Sequence, residues 1–305
     1  MRKKTNFDKE SLYFINIMNK NKLGIALAIL AAALYAISTP FSKLILDYIP
    51  STLLAGLLYL GAGVGMSIFG IVGKVLGKPR EEARLERCDL PYTLAMIVLD
   101  IAAPILLLLG LSTATAENVS LINNFEIVAT ALIAFVFFGE KISKRLGLAI
   151  SLITLSAAIL SFENLLALEF SVGSLFVILA ATCWGLENNC TRKLSDKDPL
   201  QIVVIKGLCS GAGALIIGLI VGERTEHVWI IVASLALGFV AYGLSIFVYV
   251  YAQRYIGAAK TSAYYAIAPF IGSALSLMIF CEMPHFSFFI ALIIMGAGSY
   301  LASKE

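Results

Sequence analysis

The stretch LGIALAILAAALYAISTPFSKLILDYIP, Leu23–Pro50, recurs as VGSLFVILAATCWGLENNCTRKLSDKDP, Val172–Pro199, at a constant offset of 149 residues. Gly24 matches Gly173, the ILAA of residues 29–32 matches 178–181, Tyr35 meets Trp184 and Pro50 meets Pro199. A second block, NVSLINNFEIVATALIAFVFFGE from Asn118, aligns with KTSAYYAIAPFIGSALSLMIFCE from Lys260 at an offset of 142, and the two copies end in Glu140 and Glu282. The offsets differ because the first copy carries a longer charged link, KPREEARLERCD, Lys78–Asp89. A chain built from two related halves is expected to fold as two related halves.

The residues around these blocks are unusually apolar. Hydrophobic types make up 59% of the 305 residues and charged types 14%, the mean hydropathy is +0.89, and a soluble domain carries about 25% charged residues. This is the composition of an integral membrane protein, with the lipid bilayer as its solvent. A bilayer-crossing helix needs about 20 mostly apolar residues. Polar, Gly/Pro and charged punctuation divides the chain into ten such segments, near 23–46, 51–73, 91–111, 115–138, 144–162, 171–192, 200–221, 228–253, 258–280 and 286–302. Basic residues concentrate in cytoplasmic loops. With the N-terminus inside, all but Lys43, Arg224 and Lys206 of the 23 Lys and Arg fall at the inner face or its loops. The pattern predicts an all-α fold of ten transmembrane helices with both termini cytoplasmic.

Each half then holds five spans, an odd number, so the second half enters the membrane from the opposite side. Inverted repeats of this kind place a binding site near the bilayer midplane at the repeat interface, open alternately to either face. The expected organisation is a cytoplasmic extension over 1–21, a first five-helix repeat over 22–163 and a second over 170–303. The basic start lacks a short apolar core followed by a cleavage site, so a cleaved signal peptide is not expected. Met18 is a candidate natural start, which would leave residues 1–17 outside the native chain.

The repeated blocks resemble the ten-span EamA branch of the drug/metabolite transporter superfamily across about residues 21–303. The likeness rests on the apolar runs ending in an aromatic residue, LYA at 34–36 and CWG at 183–185, and on the NVSLINNFEIVATALIAFVFFGE segment. The family's version of that segment reads ASLI…LEPV…GE. This chain keeps the glutamate as Glu126 and has Ile127 for the proline, whereas the second copy keeps Pro269 and has Ala268 for the glutamate. The resemblance implies a central cavity ringed by spans 1, 3, 4, 6, 8 and 9, with 5 and 10 peripheral, and a prokaryotic plasma membrane as the location. It implies transport without fixing the cargo, since members carry amino acids, amines, aromatic compounds, sugars and nucleotide sugars.

Charges inside a membrane are costly and mark functional sites. At about 1.5 Å per residue, Asp100 lies roughly 14 Å into span 3 and Glu126 roughly 17 Å into span 4, both near the midplane. These two carboxylates are the proton-coupling candidates, Glu126 first. Glu187 and Lys206 each lie about 9 Å from the inner surface on neighbouring helices, an expected ion pair. Such a pair either locks the hairpin of spans 6 and 7 or opens as the protein rocks, together with Asn188 and Asn189 at the cytoplasmic mouth. Asn123 precedes Glu126 by three residues, on nearly the same helix face, and Asn124 follows it. Tyr35, Trp184, Tyr264 and Tyr265 are expected to line an amphipathic pocket suited to aromatic or cationic cargo, with Tyr242 in support. Tyr249 and Tyr255 are assigned to packing or interfacial anchoring. The glycine clusters GAGVG at 61–65 and GAGA at 211–214 are expected packing seams.

Other function classes lack their chemistry. Cys88, Cys183, Cys190, Cys209 and Cys281 form no CxxC or His-rich pattern, so neither a metal nor a disulfide framework is expected. His227 and His285 lie at outer span ends, outside any HExxH pattern. No nucleotide-binding motif, cofactor site or nucleic-acid footprint is evident. The expected activity is secondary active or facilitative transport of a small-molecule substrate such as an amino acid, amine or aromatic compound, with protons as candidate partners. A non-transporting scaffold or sensor and a membrane-embedded enzyme are the alternatives, and neither requires mirrored halves.

Overall fold

A computed structural model describes residues 21–77, 82–138, 142–164, 169–194, 197–256, 261, 264–281 and 284–302. The N-terminal extension with Met18, Glu140, Lys260 and Glu282 lie outside these residues. Among the described residues the chain is helical almost throughout. One short antiparallel contact, Phe162–Asn164 with Glu169–Phe170, joins the two halves.

The helices are α1 (Asn21–Ile45), α2 (Ser51–Val75), α3 (Leu90–Thr113), α4 (residues 116–138), α5 (Lys144–Ser161) and α6 (Val172–Leu194). They continue as α7 (Pro199–Ile220), α8 (residues 228–256), α9 (Ala268–Phe280, led in by helical residues 264–265) and α10 (Phe286–Ala302). Six of them, α1, α2, α3, α4, α7 and α8, are long and apolar enough to cross a membrane by length and composition. Side chains such as Ile71, Val75, Phe137, Ile220 and Ile293 stand exposed along their outer faces. An apolar exterior of this extent suits lipid, and the chain is a multi-pass membrane protein.

Local chemistry sets the helix ends. Pro50 is extended and leads into α2, while Pro199 opens α7 under a cap in which the Asp198 side chain accepts from Leu200 N–H at 2.9 Å. Proline suits the first turn because its missing N–H would have no helical partner there. At the far end of α9, Cys281 adopts a left-handed conformation with φ of 51°.

Packing crosses the boundary between the halves. Helix α3 pairs with α6, α5 with α10, α4 with α6 and α9, and α2 is the hub that meets α7 and α8. The expected glycine seams form this hub. A Cβ placed on Gly238 of α8 would fall 2.0 Å from the Leu58 carbonyl oxygen of α2, and one on Gly207 of α7 would fall 2.3 Å from Gly63 N. Backbones this close exclude any larger residue, and the close fit replaces the hydrophobic drive that lipid cannot supply.

Links at both ends fasten one half to the other. At one end, Asp198 N–H donates to Ala83 O at 2.8 Å and Leu85 N–H to Gln201 Oε1 at 2.9 Å, while Lys197 lies 3.4 Å from Glu86 and 3.3 Å from Asp89. The longer charged link of the first repeat therefore straps the α6–α7 turn. At the other end, the Glu223 carboxylate accepts from Leu53 N–H at 2.8 Å, in the first turn of α2.

Four helices depart from regular α geometry where the site lies. In α4 the bonds tighten at Asn123–Asn124, where Glu126 N–H and Ile127 N–H donate to carbonyls three residues back. The equivalent part of α9 turns at residues 266–267. Helices α7 and α8 each contain a π-helical turn, Lys206–Ser210 and Phe239–Leu244. Such turns occur often at functional sites because the extra residue re-aims a side chain.

Candidate functional site

Polar side chains from seven helices meet in a closed circuit at the centre of the molecule. Lys206, the first residue of the π turn in α7, places Nζ 3.0 Å from Asp100 Oδ2 of α3 and 3.0 Å from Glu187 Oε1 of α6. Glu187 also accepts from the Thr191 hydroxyl one turn along α6. Its neighbour Asn188 donates from Nδ2 to Glu126 Oε1 of α4 at 2.5 Å. One turn before Glu126, Asn123 Nδ2 donates to the Tyr35 hydroxyl of α1 at 3.3 Å.

Aromatic rings close the circuit. Tyr35 meets Tyr242 of α8 edge-on at 5.8 Å, and Tyr242 lies 5.2 Å from Tyr59 of α2. Tyr59 then donates its hydroxyl to Asp100 Oδ1 at 2.9 Å. Tyr265 joins from the lead-in to α9, 5.9 Å from Tyr35 and 4.9 Å from Tyr249. Ring pairs at 4.5–7 Å hold one another in defined orientations. One wall is therefore aromatic and the other carboxylate and amide.

The local sequence explains why each group points inward. Pro104 sits four residues after Asp100 in α3 and has no N–H to return to the Asp100 carbonyl, so the helix ladder is interrupted beside the carboxylate,. The π turns re-aim Lys206 and Tyr242, and the tightened turn of α4 presents Asn123 and Glu126 together. Asn189 secures α6 against α4 by donating to Thr130 O at 3.2 Å, and donates to Gly185 O of its own helix at 2.8 Å.

The electrostatics are unbalanced. Asp100, Glu187 and Lys206 are buried, at 0%, 2% and 6% exposure. Lys206 serves both neighbouring acids, so the trio carries one more carboxylate than cation. Glu126 has an amide partner and no cation within ion-pair distance among the described residues. Uncompensated charge of this sort in a membrane protein is held where a ligand or proton can answer it.

The structure thus brings together Tyr35, Asp100, Asn123, Glu126, Glu187, Asn188, Lys206 and Tyr265. Trp184 is buried in the main core, the cluster to which Tyr242 also belongs. Asn124 is 3% exposed, and its Nδ2 has no hydrogen-bond partner among the described residues. Tyr264 stands apart from the expectation at 39% exposure. Neighbours on a helix point about 100° apart, so Tyr264 and Tyr265 cannot share one face. Tyr249, assigned to anchoring or packing, packs edge-on against Tyr265 at 4.9 Å. Lys206 also engages Asp100 as well as the expected Glu187, which turns a hairpin pair into a link between the two halves.

Tyr59, Ser38 and Thr191 were missed by the sequence reading. Repeat registration would have found one of them: Ser38 is the counterpart of Glu187 at the offset of 149, as Tyr242 is of Asp100 at 142. The Ser38 hydroxyl donates to Tyr242 at 3.3 Å. The charged cluster of Asp100 and Glu187 thus has a neutral hydroxyl counterpart in Tyr242 and Ser38, each cluster drawing on both halves, with Tyr59 between them.

A separate cavity of about 430 Å³ opens among the ends of α1, α3, α6 and α10, lined by Lys43, Thr113, Asn118, Ser174, His285 and Ser287 among others. Lys43 there donates to Leu111 O at 2.6 Å and Ala114 O at 3.0 Å, the free carbonyl end of α3.

Comparison with known proteins agrees with this architecture. A transporter of Methanothermobacter thermautotrophicus described as uncharacterised is 28% identical over 268 residues, covering 83% of this chain and 78% of that protein. A solved crystal structure shares the fold with a TM-score of 0.64 at 15% identity, over 91% of this chain and 95% of the other. Residues 22–162 and 171–304 each match one family, in line with the internal repeat. The chain belongs to the EamA-like transporter family of the drug/metabolite transporter superfamily.

Proposed function

We propose that this protein is a secondary transporter of small molecules bearing an ammonium group on an apolar or aromatic body, amines or amino acids, in a prokaryotic cell membrane. All ten helices cross the bilayer with both termini inside, and the two halves, 22–163 and 170–303, rock about the central circuit. The observation that carries the reading is Glu126. It is a carboxylate at the repeat interface with an amide for its neighbour and no cation within ion-pair distance among the described residues, near an aromatic wall of Tyr35, Tyr242 and Tyr265. A cargo ammonium supplies the missing charge, and tyrosine faces hold its body through ring contacts and cation–π attraction. A phosphorylated anion finds one lysine, and that lysine is already shared by two acids.

Coupling to protons follows from the same imbalance. When no cargo is present, a proton on Glu126 removes the charge that would otherwise oppose occlusion in a dry cavity. Asp100, held by Lys206 and Tyr59, is the second candidate. The 430 Å³ cavity with Lys43 and His285 serves as the outer vestibule.

Purified protein in mild detergent, melted against amino acids, polyamines, aromatic amines, nucleosides, sugars and phosphorylated metabolites, tests the proposal. Ligand at about 100 times its dissociation constant stabilises the folded state by roughly 2.7 kcal/mol. Stabilisation by an amine or amino acid that disappears in Glu126→Gln supports the reading. Stabilisation by phosphorylated anions alone refutes it.

A further inference from the structure

We infer that Asp100 and Glu187 form a monovalent-cation site whose occupant is built into the chain, the ammonium of Lys206. The inference goes beyond the cargo reading and does not depend on it. It concerns a site next to Glu126 whose occupancy is read without any cargo.

Two observations meet in it. The first is geometric. The Lys206 ammonium lies midway in contact terms between two carboxylates brought from different halves, 3.0 Å from each. The remaining carboxylate oxygen of Asp100 accepts from Tyr59, and Glu187 accepts from Thr191, so the acids are fixed by hydroxyls that hold them in place without neutralising them. Asp100, Glu187 and Lys206 are all more than nine-tenths buried. Two carboxylates converging on one point in a dry interior repel each other strongly unless a cation stands between them.

The second observation is in the repeat. At the offsets that align the copies, Glu187 corresponds to Ser38, Asp100 to Tyr242 and Lys206 to Leu57. Asp100 comes from the first copy and Glu187 and Lys206 from the second, and each of the three has an uncharged counterpart at the aligned position. They behave as one unit, an acid pair with its own counter-ion. The π turn that begins at Lys206 completes the arrangement, because it re-aims the residue and is tied to α3 by Ser210, whose hydroxyl donates to Ile97 O at 3.2 Å.

A tethered ammonium confers independence from the medium. The acid pair keeps one covalently tethered cation between its carboxylates, so no inorganic co-ion has to bind at that point before the halves move. Removing the tether exposes the site. Lys206→Ala leaves room in which a free primary ammonium reproduces the end of the lost side chain, and methylammonium is the smallest such probe that keeps both the charge and a carbon.

The test measures the unfolding midpoint of the full chain in mild detergent, at constant ionic strength, with methylammonium chloride exchanged for tetramethylammonium chloride. The latter has the charge but no N–H donor. Wild type is expected to be indifferent to the exchange. Lys206→Ala is expected to melt several degrees lower in tetramethylammonium and to recover at least half of the loss, saturably, in methylammonium. Lys206→Gln keeps more of the packing and is the measurement of record where the alanine variant fails to fold, with the same recovery expected. Neutralising both acids in Lys206→Met with Asp100→Asn and Glu187→Gln abolishes the response. Equal midpoints in the two salts for the alanine or glutamine variant overturn the inference, and so does a methylammonium rise of the same size in wild type or in the neutral triple variant.

Discussion

Gly238→Ala probes the contact on which the packing of the two halves depends most directly. The added Cβ would sit 2.0 Å from the Leu58 carbonyl oxygen, against 3.4 Å or more for an ordinary contact. The obstructing atom is backbone within α2, so no side chain can swing aside, and the helices must part by about 1.4 Å along a seam that also holds Gly61 against Leu235 O,. Overpacking of this kind costs about 1–3 kcal/mol, and the rigid partner puts this case near 3 kcal/mol. Equilibrium unfolding in mixed detergent and SDS, followed by far-ultraviolet circular dichroism, measures the loss. Gly296→Ala in α10 is the control, because nothing lies within 4 Å of its added Cβ, and it should stay within about 0.5 kcal/mol of wild type,. If Gly238→Ala is no less stable than Gly296→Ala, the α2–α8 seam is not the close backbone contact described.

Tyr59→Phe removes one hydroxyl and leaves Asp100 its lysine; loss of a hydrogen bond to a charged group should lower the unfolding free energy by about 1.5–3 kcal/mol, and no change would disconnect Tyr59 from the circuit. Glu223→Ala deletes the acceptor of Leu53 N–H at the start of α2 and should cost about 1 kcal/mol, as for loss of a helix cap, with a neutral result counting against that link between the halves. Asn188→Ala strips Glu126 of its amide neighbour. Amine binding to that variant should persist with changed affinity, whereas Glu126→Gln should lose it, and equal losses in both would place the binding charge elsewhere.

The architecture was legible because its physical signals are long. Apolar segments of about 20 residues and a constant repeat offset each involve dozens of residues, and they mark a helical membrane protein built of two related halves. The charges of the circuit were legible too, since Asp100, Glu126, Glu187 and Lys206 stand out in apolar runs. What the sequence did not disclose was angular. The α4 tightening at Asn123 and the π turns at Lys206 and Phe239 shift which face a residue occupies, and no straight-helix projection contains them. That is why the reading paired Lys206 with Glu187 and missed Asp100. Tyr59 escaped notice for a different reason. Tyrosine in an apolar helix carries no charge signal, and its role emerges once the Asp100 carboxylate is found 2.9 Å from its hydroxyl. Tyr265 meets Tyr35 while Tyr264 is 39% exposed, a difference of helix face that a list of aromatic positions does not contain.

The central claim is that the circuit from Asp100 through Lys206, Glu187, Asn188, Glu126, Asn123 and the tyrosines seats an ammonium-bearing cargo. Counterflow in proteoliposomes tests it most directly, with internal unlabelled amine or amino acid driving uptake of the labelled compound in wild type and in Glu126→Gln. The account predicts saturable counterflow of at least one ammonium-bearing compound and its reduction by at least about tenfold in the variant, the effect of losing roughly 1.4 kcal/mol of binding. Undiminished counterflow in Glu126→Gln, or counterflow confined to anionic phosphates, would contradict it.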